Sequence, residues 1–407
     1  MAKEEKKAPK LRFNGYTNDW EQQELGAVVE FYSGLTYKPE NVVQNGTLVI
    51  RSSNIHNNQY INADNVYVKN NIVNSEYVQE QDIVVVVRNG SRNLIGKHAL
   101  LKSIPHDPSV IGAFMTGIRS LNNQFIEAVL NTEKFKREIN KNLGATINQI
   151  TTSQFKKMKF NFPKREEDKQ IGILFNYLDD TIQLHERKCE ELTLIKKALL
   201  QKLFPKKDKD RPEVRYKNFS DAWEQRKLGE MVEKSTIKNS DLEYSKEDIL
   251  SVATMSDMSF SRDINSTENY MKTYNKILYG EIAFEGHSNK KYRFGRFVLN
   301  DYRNGIVSHI YDIYKIIIDY DMNFMKEWIS LDRVMYKPLV NSTTSARMMN
   351  SLQAKKLYKQ KVLLPDLQEQ KEIGNFLNKF DTLIALHQRK LEKLKQLKKF
   401  LLQNMFI

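Results

Sequence analysis

The sequence IGILFNYLDDTIQLHERKCEELTLIKKALLQKLF at residues 171–204 recurs as IGNFLNKFDTLIALHQRKLEKLKQLKKFLLQNMF at residues 373–406. The shift between the copies is 202 positions throughout, and 17 of the 34 positions are identical. Two unrelated segments of ordinary composition would share about two identities. The chain is therefore a tandem duplication.

A shorter repeat lies ahead of each long one. WEQQELGAVVE at residues 20–30 recurs as WEQRKLGEMVE at residues 223–233, shifted by 203 positions. The segments that follow the short repeats, 31–143 and 234–344, agree in no register. This long repeat period excludes a solenoid, whose repeats have about 20 to 50 residues. The pattern indicates a constant frame that carries two different inserts.

The long repeats predict two amphipathic helices. Their apolar residues recur at spacings of three and four, which is the pattern of a helix with one buried stripe. Pro163 and Pro365 precede the repeats, as is common at helix starts. Each helix would be about 50 Å long at 1.5 Å per residue.

A stripe of that length needs a partner surface. The duplication offers each helix the other as an antiparallel partner, although a helix that packs only on its own domain is the alternative. The apolar residues expected to pair the helices are Leu178, Ile182, Leu192, Leu199, Phe380, Ile384, Leu394 and Leu401.

The predicted fold class is α+β. Strand-like segments such as 83–87 and 276–284 lie among turn residues in the inserts, and 122–141 and 322–336 are each expected to form one helix. We expect two α/β domains separated by two long antiparallel helices that form a coiled-coil spacer, with pseudo-twofold symmetry from the duplication. The expected boundaries are 1–162 for an N-terminal arm and the first domain, 163–204 for the first helix, 205–212 for a linker, 213–363 for the second domain and 364–407 for the second helix.

The overall composition narrows the class of partner. The 407 residues carry a net charge of +14 and have a pI near 9.4. This excess of positive charge predicts a polyanionic partner, while a basic protein without such a partner is the alternative.

The single cysteine, Cys189, excludes an intramolecular disulfide and a thiolate metal cluster. Residues 1–10 are not a secretory signal and no apolar run would span a bilayer, so we expect a cytoplasmic protein without membrane association.

Basic, amide-rich turns in both inserts are the candidate DNA contacts. Arginine can bind guanine through two hydrogen bonds and asparagine can do so with adenine, so turns that combine them suit entry into a DNA groove. The predicted contacts are Arg88, Asn89, Ser91, Arg92 and Lys97, with Arg51 and Asn54 as a weaker group, and in the second insert Lys290, Lys291, Arg293 and Arg296, with Thr344 and Arg347 as a weaker group. For any one of these residues, the alternative is that it lies in a solvated turn and its side chain contacts nothing. Residues 144–148 and 346–350 echo each other and are expected to form helix caps, and a contact from their backbone N–H groups to phosphate is the alternative.

No catalytic or metal site is predicted. His185 and His387 occupy equivalent stripe positions, but neither has a second ligand at a usable spacing, so we interpret them as hydrogen-bonding residues. Segment 365–371 echoes a nuclease PD…ExK signature, but its carboxylates crowd one helical turn. The dinucleotide, phosphate-loop, amino-methyltransferase and HExxH signatures are missing from the sequence. The sequence predicts a non-catalytic binding protein, and the alternatives are a self-contained nuclease or methyltransferase and a basic coiled-coil scaffold without sequence-specific binding.

A duplicated chain with WEQQELG at 20–26, WEQRKLG at 223–229 and Leu-Leu-Gln near the end of both long repeats resembles the specificity subunit of type I restriction-modification systems. The resemblance covers essentially the whole chain. It implies two target recognition domains that each bind half of a bipartite asymmetric site in double-stranded DNA, and conserved helices that set the gap between the halves. It also implies two modification (methyltransferase) subunits and restriction (translocase/endonuclease) subunits as partners. S-adenosylmethionine, ATP and magnesium would be bound by those partner subunits, and no cofactor by this chain.

Overall fold

The computed structural model of the chain describes residues 8–106, 108–144, 148–207, 209–258, 267–344 and 349–407. These residues form two compact units. The first comprises residues up to 187 together with 388–407, and the second comprises residues 188–387. Each unit therefore contains one part of each long repeat. None of the helices described is long and apolar enough to cross a membrane.

The first unit combines short strands with four short helices and one part of each of the two long helices. Its strands are β1 (Glu21–Glu24), β2 (Glu30–Ser33), β3 (Val42–Val43), β4 (Thr47–Ile50), β5 (Ile55–His56), β6 (Gln59–Tyr60), β7 (Val66–Val68), β8 (Ile83–Val86), β9 (His98–Leu100), β10 (Ser109–Ile111), β11 (Met115–Arg119) and β12 (Lys159–Phe162). Its helices are α1 (Leu25–Val28), α2 (Asn123–Leu130), α3 (Glu133–Asn142), α4 (Thr152–Lys156), the first part of α5 (Arg165–Lys202) and the last part of α10 (Leu367–Asn404).

The core of the first unit is built on the sheet β2-β11-β8-β9. All four residues of β8 are buried, as expected for a β-branched strand that is covered on both faces. A second four-stranded sheet has the order β10-β4-β7-β3. Phe125 of α2, Phe135 of α3 and Phe175 of α5 belong to the same buried cluster as β8. The first insert and the long helix therefore share one core.

The second unit contains the remaining elements. Its strands are β13 (Glu224–Lys227), β14 (Val232–Ser235), β15 (Leu250–Ser251), β16 (Ser256–Asp257), β17 (Asn275–Ile277), β18 (Ile282–Glu285), β19 (Arg296–Leu299), β20 (Gly305–Val307), β21 (Asp312–Ile316), β22 (Thr343–Thr344), β23 (Ser351–Leu352) and β24 (Lys361–Leu364). Its helices are α6 (Glu268–Met271), α7 (Met322–Ser330), α8 (Asp332–Ser342), α9 (Ala354–Leu357) and parts of α5 and α10 (Leu367–Asn404).

The two units share one architecture although their inserts differ in sequence. The main sheet of the second unit has the order β14-β21-β18-β19, which corresponds strand for strand to β2-β11-β8-β9. In each unit the short repeat forms a strand that pairs antiparallel with the strand leading into a long helix, β1 with β12 and β13 with β24. The predicted α+β tandem duplication is confirmed.

Some predicted elements are divided in the structure. The helix expected over 122–141 is α2 and α3, because Thr132 caps α3 by accepting a hydrogen bond from Phe135 N at 3.3 Å. The helix expected over 322–336 is likewise α7 and α8. The strand expected over 276–284 is β17 and β18, separated by a turn in which Gly280 has a φ of 88°, a conformation that favours glycine.

In the first unit, the start of α5 packs antiparallel to the end of α10. Lys398 Nζ donates to Asp179 at 2.5 Å, and Lys395 forms an ion pair with Glu186 at 2.7 Å. Residue numbers fall along α10 as they rise along α5, so the direction is antiparallel. The predicted pairing of the two helices is confirmed within this unit.

In the second unit, the end of α5 packs against the start of α10. Lys196 Nζ donates to Asp381 at 2.5 Å and to Glu327 at 2.7 Å. Burial opposes the charge on Lys196, but these two hydrogen bonds outweigh it and raise its pKa. Lys196 and Asp381 are the repeat equivalents of Lys398 and Asp179. The same ion pair therefore occurs in each unit, with the roles of the two helices exchanged.

The apolar residues expected to pair the helices differ in burial. Those that are buried or pack on a core are Leu178, Ile182, Leu199, Leu394 and Leu401. Those that are half-buried are Leu192, Phe380 and Ile384.

An arginine ahead of each short repeat binds the first turn of the long helix in its own half. Two nitrogens of Arg12 donate to Glu167 at 2.6 and 2.7 Å, and Trp20 Nε1 donates to the same carboxylate at 3.2 Å. Arg215 binds Glu369 through two bonds of 2.7 Å. Hydrogen bonds to these carboxylates raise the pKa of both arginines, as expected for bidentate ion pairs.

The N-terminal arm and the end of α10 meet in the first unit. Leu11 N donates to Asn404 O at 2.9 Å. Phe406 packs edge-on against Trp20, with ring centroids 6.0 Å apart. Leu401 and Met405 belong to the same buried cluster as the main sheet. The last turn of α10 thus completes the core that begins with the arm.

Candidate nucleic-acid interface

The loop between β8 and β9, residues 87–97 and here called the first loop, contains the main predicted contacts of the first insert. It packs against the turn at 51–54. Asn89 Nδ2 donates to Ser52 Oγ at 3.2 Å, and Lys97 Nζ donates to Ser52 O at 3.4 Å. The structure therefore brings two separately predicted groups of residues together.

Arg88 lies at the start of the first loop. Its guanidinium lies 5.0 Å from the centre of the Phe114 ring, where the face of the ring attracts a cation. The backbone N–H groups of Val87 and Arg88 donate to Phe114 O at 2.9 and 3.2 Å. Within the described ranges, no carboxylate pairs with Arg88, Arg92 or Lys97, whose contacts are to a ring and to carbonyl oxygens. The charge of this surface is available to an anion.

The ammonium group of Lys97 is partly desolvated. Burial lowers the pKa of Lys97 below its ordinary value, because desolvation disfavours the ammonium form. A phosphate group near Lys97 would stabilise the ammonium form that burial disfavours.

The neighbouring residues of the first loop contact backbone and side-chain oxygens. Arg92 is exposed and donates to Gly144 O at 3.4 Å, while Ser91 N donates to Asn89 Oδ1 at 3.0 Å.

In the weaker predicted group at 51–54, the side chains of Arg51 and Asn54 form hydrogen bonds within the protein. Asn54 is fully buried. Its side chain accepts from Arg51 N at 2.9 Å and donates to Ala63 O at 2.6 Å. The Arg51 guanidinium donates to Asp64 O. Asn54 therefore shapes the turn and does not face the surface.

Asn148 fixes the first loop from the segment that follows α3. Its Nδ2 donates to Gly90 O at 3.0 Å, and its carbonyl accepts from Asn89 N at 3.2 Å. Ile150 N donates to Val87 O at 2.9 Å. These bonds join the loop to the chain that leads into the long helix.

The helix cap expected at 144–148 lies further along the chain. Thr151 Oγ1 accepts from Gln154 N at 3.2 Å, and Gln154 Oε1 accepts from Thr151 N at 2.8 Å, which is a capping box. In the second half, α9 begins without a side-chain cap hydrogen bond. Residues 145–147 and 345–348 lie outside the described residues, and Arg347, a predicted contact, is among them.

The loop between β18 and β19, residues 286–295 and here called the second loop, presents a basic surface. Its cations are Lys290, Lys291 and Arg293. Lys291 Nζ lies 4.9 Å from the centre of the Tyr292 ring, and the Arg293 guanidinium lies 5.6 Å from that of Phe294. Aromatic rings therefore lie beside the charges in this loop, as beside Arg88.

Two other predicted residues of the second insert make internal contacts. Arg296 donates to Glu285 at 2.6 Å and to Ala253 O at 2.9 Å, so its charge is neutralised within the unit. Thr344 is exposed, and its hydroxyl donates to Ser351 O at 3.4 Å.

Asn350 fixes the second loop as Asn148 fixes the first. It is buried, its N–H donates to Gly286 O at 2.8 Å, and its Nδ2 donates to Arg293 O at 3.0 Å. Asn148 and Asn350 are 202 positions apart, which is the shift of the long repeats. Two loops of unrelated sequence are thus attached through equivalent side-chain amides.

A buried acid and base lie beneath the first loop. His98, at the start of β9, donates from Nδ1 to Gly96 O at 2.8 Å, and its Nε2 lies 3.4 Å from a Glu127 carboxylate oxygen. Burial raises the pKa of Glu127, against the opposing effects of His98 and Lys398. A protonated Glu127 can donate to Nε2, which would give this buried ring nitrogen a partner.

Sequence reasoning did not identify Phe114 as part of this surface. The signal was a large apolar residue between Gly112-Ala113 and a strand that pairs with β8, but the pairing of that strand is not visible in the sequence. It also did not identify the loop contacts of Asn148 and Asn350, whose only signal was their recurrence at the repeat shift.

The described residues hold no group of three or more His, Cys, Asp or Glu side chains that could bind a metal ion. His185 belongs to the first compact unit and His387 to the second. The arrangement that the structure does provide is a basic loop in each unit.

A family model described as the type I restriction modification DNA specificity domain matches residues 17–194 and 220–396. One match falls on each copy of the duplication, and together they cover most of the chain.

Curated relatives align over part of their length. The type I restriction enzyme StySPI specificity subunit of Salmonella potsdam is 27% identical over 191 residues, which are 45% of this chain and 41% of that protein. The EcoKI specificity subunit of Escherichia coli gives the same values. The MjaVIII specificity subunit of Methanocaldococcus jannaschii is 25% identical over 228 residues, which are 53% of this chain and 51% of that protein. The chain thus spans about half the length of the curated relatives that it matches.

One solved structure supports the fold. The S subunit of a type I restriction-modification system from M. genitalium superposes with a TM-score of 0.64 over 98% of this chain and 99% of that chain, at 13% identity. At this identity the likeness concerns the fold alone.

Proposed function

The chain belongs to the family of type I restriction-modification DNA specificity domains, and from that premise we propose that it is the sequence-recognition subunit of a type I restriction-modification complex. In this proposal each compact unit binds one half of a bipartite, asymmetric site in double-stranded DNA. The first loop and the second loop make the base contacts, and the chain itself carries out no catalysis.

The observation that carries the proposal is one scaffold that supports two different basic loops. Each loop follows the equivalent strand of its own main sheet, β8 or β18, and each is fixed by an asparagine at the repeat shift. Yet the first loop contains Arg-Asn-Gly-Ser-Arg at 88–92 and the second contains Lys-Lys-Tyr-Arg at 290–293. Equal scaffolds with unequal loops support two half-sites of different sequence.

The charges of these loops suit both parts of DNA binding. Exposed lysines and arginines that contact phosphates release counterions and supply affinity without sequence preference. Arginine and asparagine that reach base edges supply discrimination. Two half-sites on one duplex are bound more tightly together than either alone, because the second contact forms at high effective concentration.

The same proposal includes partner subunits. Two modification subunits would supply S-adenosylmethionine and adenine methylation, and restriction subunits would supply ATP-dependent translocation and cleavage with magnesium. Within the first unit, α5 supports a protein partner, because Ile173 and Tyr177, one helical turn apart, are exposed.

The test begins with mapping methylated bases in the host genome, which gives the site. The full chain is then titrated with duplexes in which one half-site or the other is altered. Each altered base pair in either half should weaken binding by about 1 to 3 kcal/mol. Equal binding to all duplexes would contradict sequence recognition.

A domain exchange assigns the halves. Replacement of residues 30–145 by the insert of another family member should change one half of the methylated sequence and leave the other half and the gap unchanged. A change in both halves would contradict the assignment of one half-site to each unit.

The non-catalytic role has a separate test. Purified chain incubated with S-adenosylmethionine and its DNA site should transfer no methyl group until modification subunits are added. Transfer by the chain alone would favour the methyltransferase alternative.

A further inference from the structure

Phe114 is a large apolar side chain that remains exposed beside the first loop. Its exposed fraction is 53%, although a buried phenylalanine would stabilise the fold. A single exposed apolar side chain is common on protein surfaces, so the position of this ring and the groups around it decide its role.

The position of Phe114 is fixed by the backbone. Its carbonyl accepts from Val87 N and Arg88 N at 2.9 and 3.2 Å. The turn before it is also fixed, since Gly112 N donates to Ile50 O at 2.9 Å. The ring therefore projects from a rigid turn at the start of β11, between the first loop and the end of β4.

The surroundings of the ring carry positive charge and amides. The Arg88 guanidinium lies 5.0 Å from its centre. Asn89 and Ser52, joined by a 3.2 Å hydrogen bond, belong to the segments on either side. An apolar ring surrounded by such groups is suited to contact base edges on the floor of a DNA groove, because these edges present both polar atoms and the thymine methyl group.

The second unit has an exposed apolar residue at the equivalent position. Ile118 pairs with the first residue of β8, and Tyr314 pairs with the first residue of β18. Four residues before each lie Phe114 and Ile310, and Ile310 is 44% exposed. Because the two inserts match in no sequence register, the recurrence belongs to the position in the fold and not to inherited identity.

We propose that Phe114 is an apolar base contact to the first half-site and that Ile310 is its counterpart for the second. The proposal rests on the proposed function and adds two residues to it. Their contribution is discrimination between sequences, since an apolar side chain gains nothing from a phosphate.

The test measures binding of the full chain to three duplexes: the mapped site, the site with its first half replaced, and the site with its second half replaced. Phe114→Ala should weaken binding to the mapped site about tenfold and leave binding to the duplex without the first half-site unchanged. The slope of log affinity against log salt should stay that of the wild type, because no phosphate contact is lost. An equal loss on all three duplexes, a changed slope or no loss at all would overturn the proposal.

Matched variants separate this role from others. Leu121 is 86% exposed beyond the opposite end of β11, so Leu121→Ala should bind all three duplexes like the wild type. Ile310→Ala should show the reverse pattern of Phe114→Ala, with the loss confined to duplexes that contain the second half-site.

Phe114 also touches Arg88, so a variant must distinguish direct contact from positioning. Phe114→Leu keeps an apolar group but loses the ring face that attracts the guanidinium, and it should retain most of the discrimination. Discrimination as low in Phe114→Leu as in Phe114→Ala would show that the ring acts only through Arg88 and would overturn the proposal. If wild-type protein fails to distinguish the three duplexes, the proposed function itself fails.

Discussion

Asn148 and Asn350 perform the same task for loops that share no sequence. A side-chain amide can donate to a loop carbonyl wherever that carbonyl lies within reach, and it does not depend on the identity of the loop residue. This property allows the loop sequence to change while its attachment stays constant. In the proposed function the amides are therefore positioning residues, and the loops supply the sequence preference.

Asn148→Ala removes the side-chain hydrogen bond to Gly90 O and leaves the first loop attached by its remaining backbone bonds, so the loop is held less firmly. We expect binding to the first half-site to weaken by about 1 to 2 kcal/mol, with binding to the second half-site unchanged, in titrations with half-altered duplexes. Asn350→Ala is the matched control and should affect only the second half-site. Equal effects of both variants on both half-sites would contradict local positioning.

Glu127 should make stability depend on pH. Its pKa is raised by burial, so its contribution is greatest below its ordinary pKa and is lost as the pH rises through the raised value. The groups facing it are His98 of β9, Asp179 of α5, Lys398 of α10 and the nearby Asn131.

Glu127→Gln should therefore be more stable than the wild type above that raised pKa, and the difference should vanish in acid. The measurement is the free energy of unfolding across a pH series. Glu133→Gln is a suitable control, because the hydrogen bond from Lys136 lowers the pKa of Glu133, and removal of that carboxylate should bring no gain. An unchanged pH profile in Glu127→Gln would contradict the assignment.

The sequence indicates the candidate site only in part. Arg88 and Arg293 could be selected because charge, turn residues and a preceding strand are all local properties. Asn54 could not be excluded, since its burial depends on carbonyl groups brought near it by folding. Phe114 could not be included, since its exposure depends on which strands flank β11.

At the scale of the elements, the long helices are joined by ion pairs that the duplication repeats. Lys398 is paired with Asp179 in the first unit, and Lys196 is paired with Asp381 in the second. Both lysines are largely buried, with 16% and 15% of the side chain exposed. Removing one partner of such a pair leaves a poorly solvated charge behind.

Lys398→Met should lower the free energy of unfolding by about 1 kcal/mol, because it leaves Asp179 without its partner. The double variant with Asp179→Asn should recover most of the loss, as measured by a double-mutant cycle. Lys399→Met, an exposed neighbour on α10, should have little effect. Additive losses in the double variant would contradict a direct interaction.

The elements differ in how far the sequence predicts them. The long helices follow from a repeat of apolar spacing, which is a property of each segment alone. The strand β1 was not predicted, because its partner β12 lies far along the chain and strand pairing over such distances leaves no local pattern. The break between α2 and α3 depends on Thr132, whose capping role competes with continuation of the helix.

For the whole molecule, α5 and α10 each contribute to both compact units. If the helices set the gap between half-sites, their length should control it. Removal of residues 184–190 together with 386–392 shortens each helix by one heptad, or about 10 Å. Methylation mapping should then find a gap shorter by about three base pairs. As the control, a variant in which the same residues are substituted but not removed should keep the wild-type gap, because the helices keep their length. If the gap stays unchanged in the deletion variant, the spacer role is refuted.

The meeting of the N-terminal arm with the end of α10 has a consequence for biosynthesis. The second unit is built from one continuous segment, residues 188–387, so it can fold as soon as that segment leaves the ribosome. The first unit cannot be completed until Phe406 reaches Trp20, which requires closure between residues very far apart in the sequence. The half that is translated first is thus the half that matures last, and its apolar surface must be protected from aggregation while the other half is made.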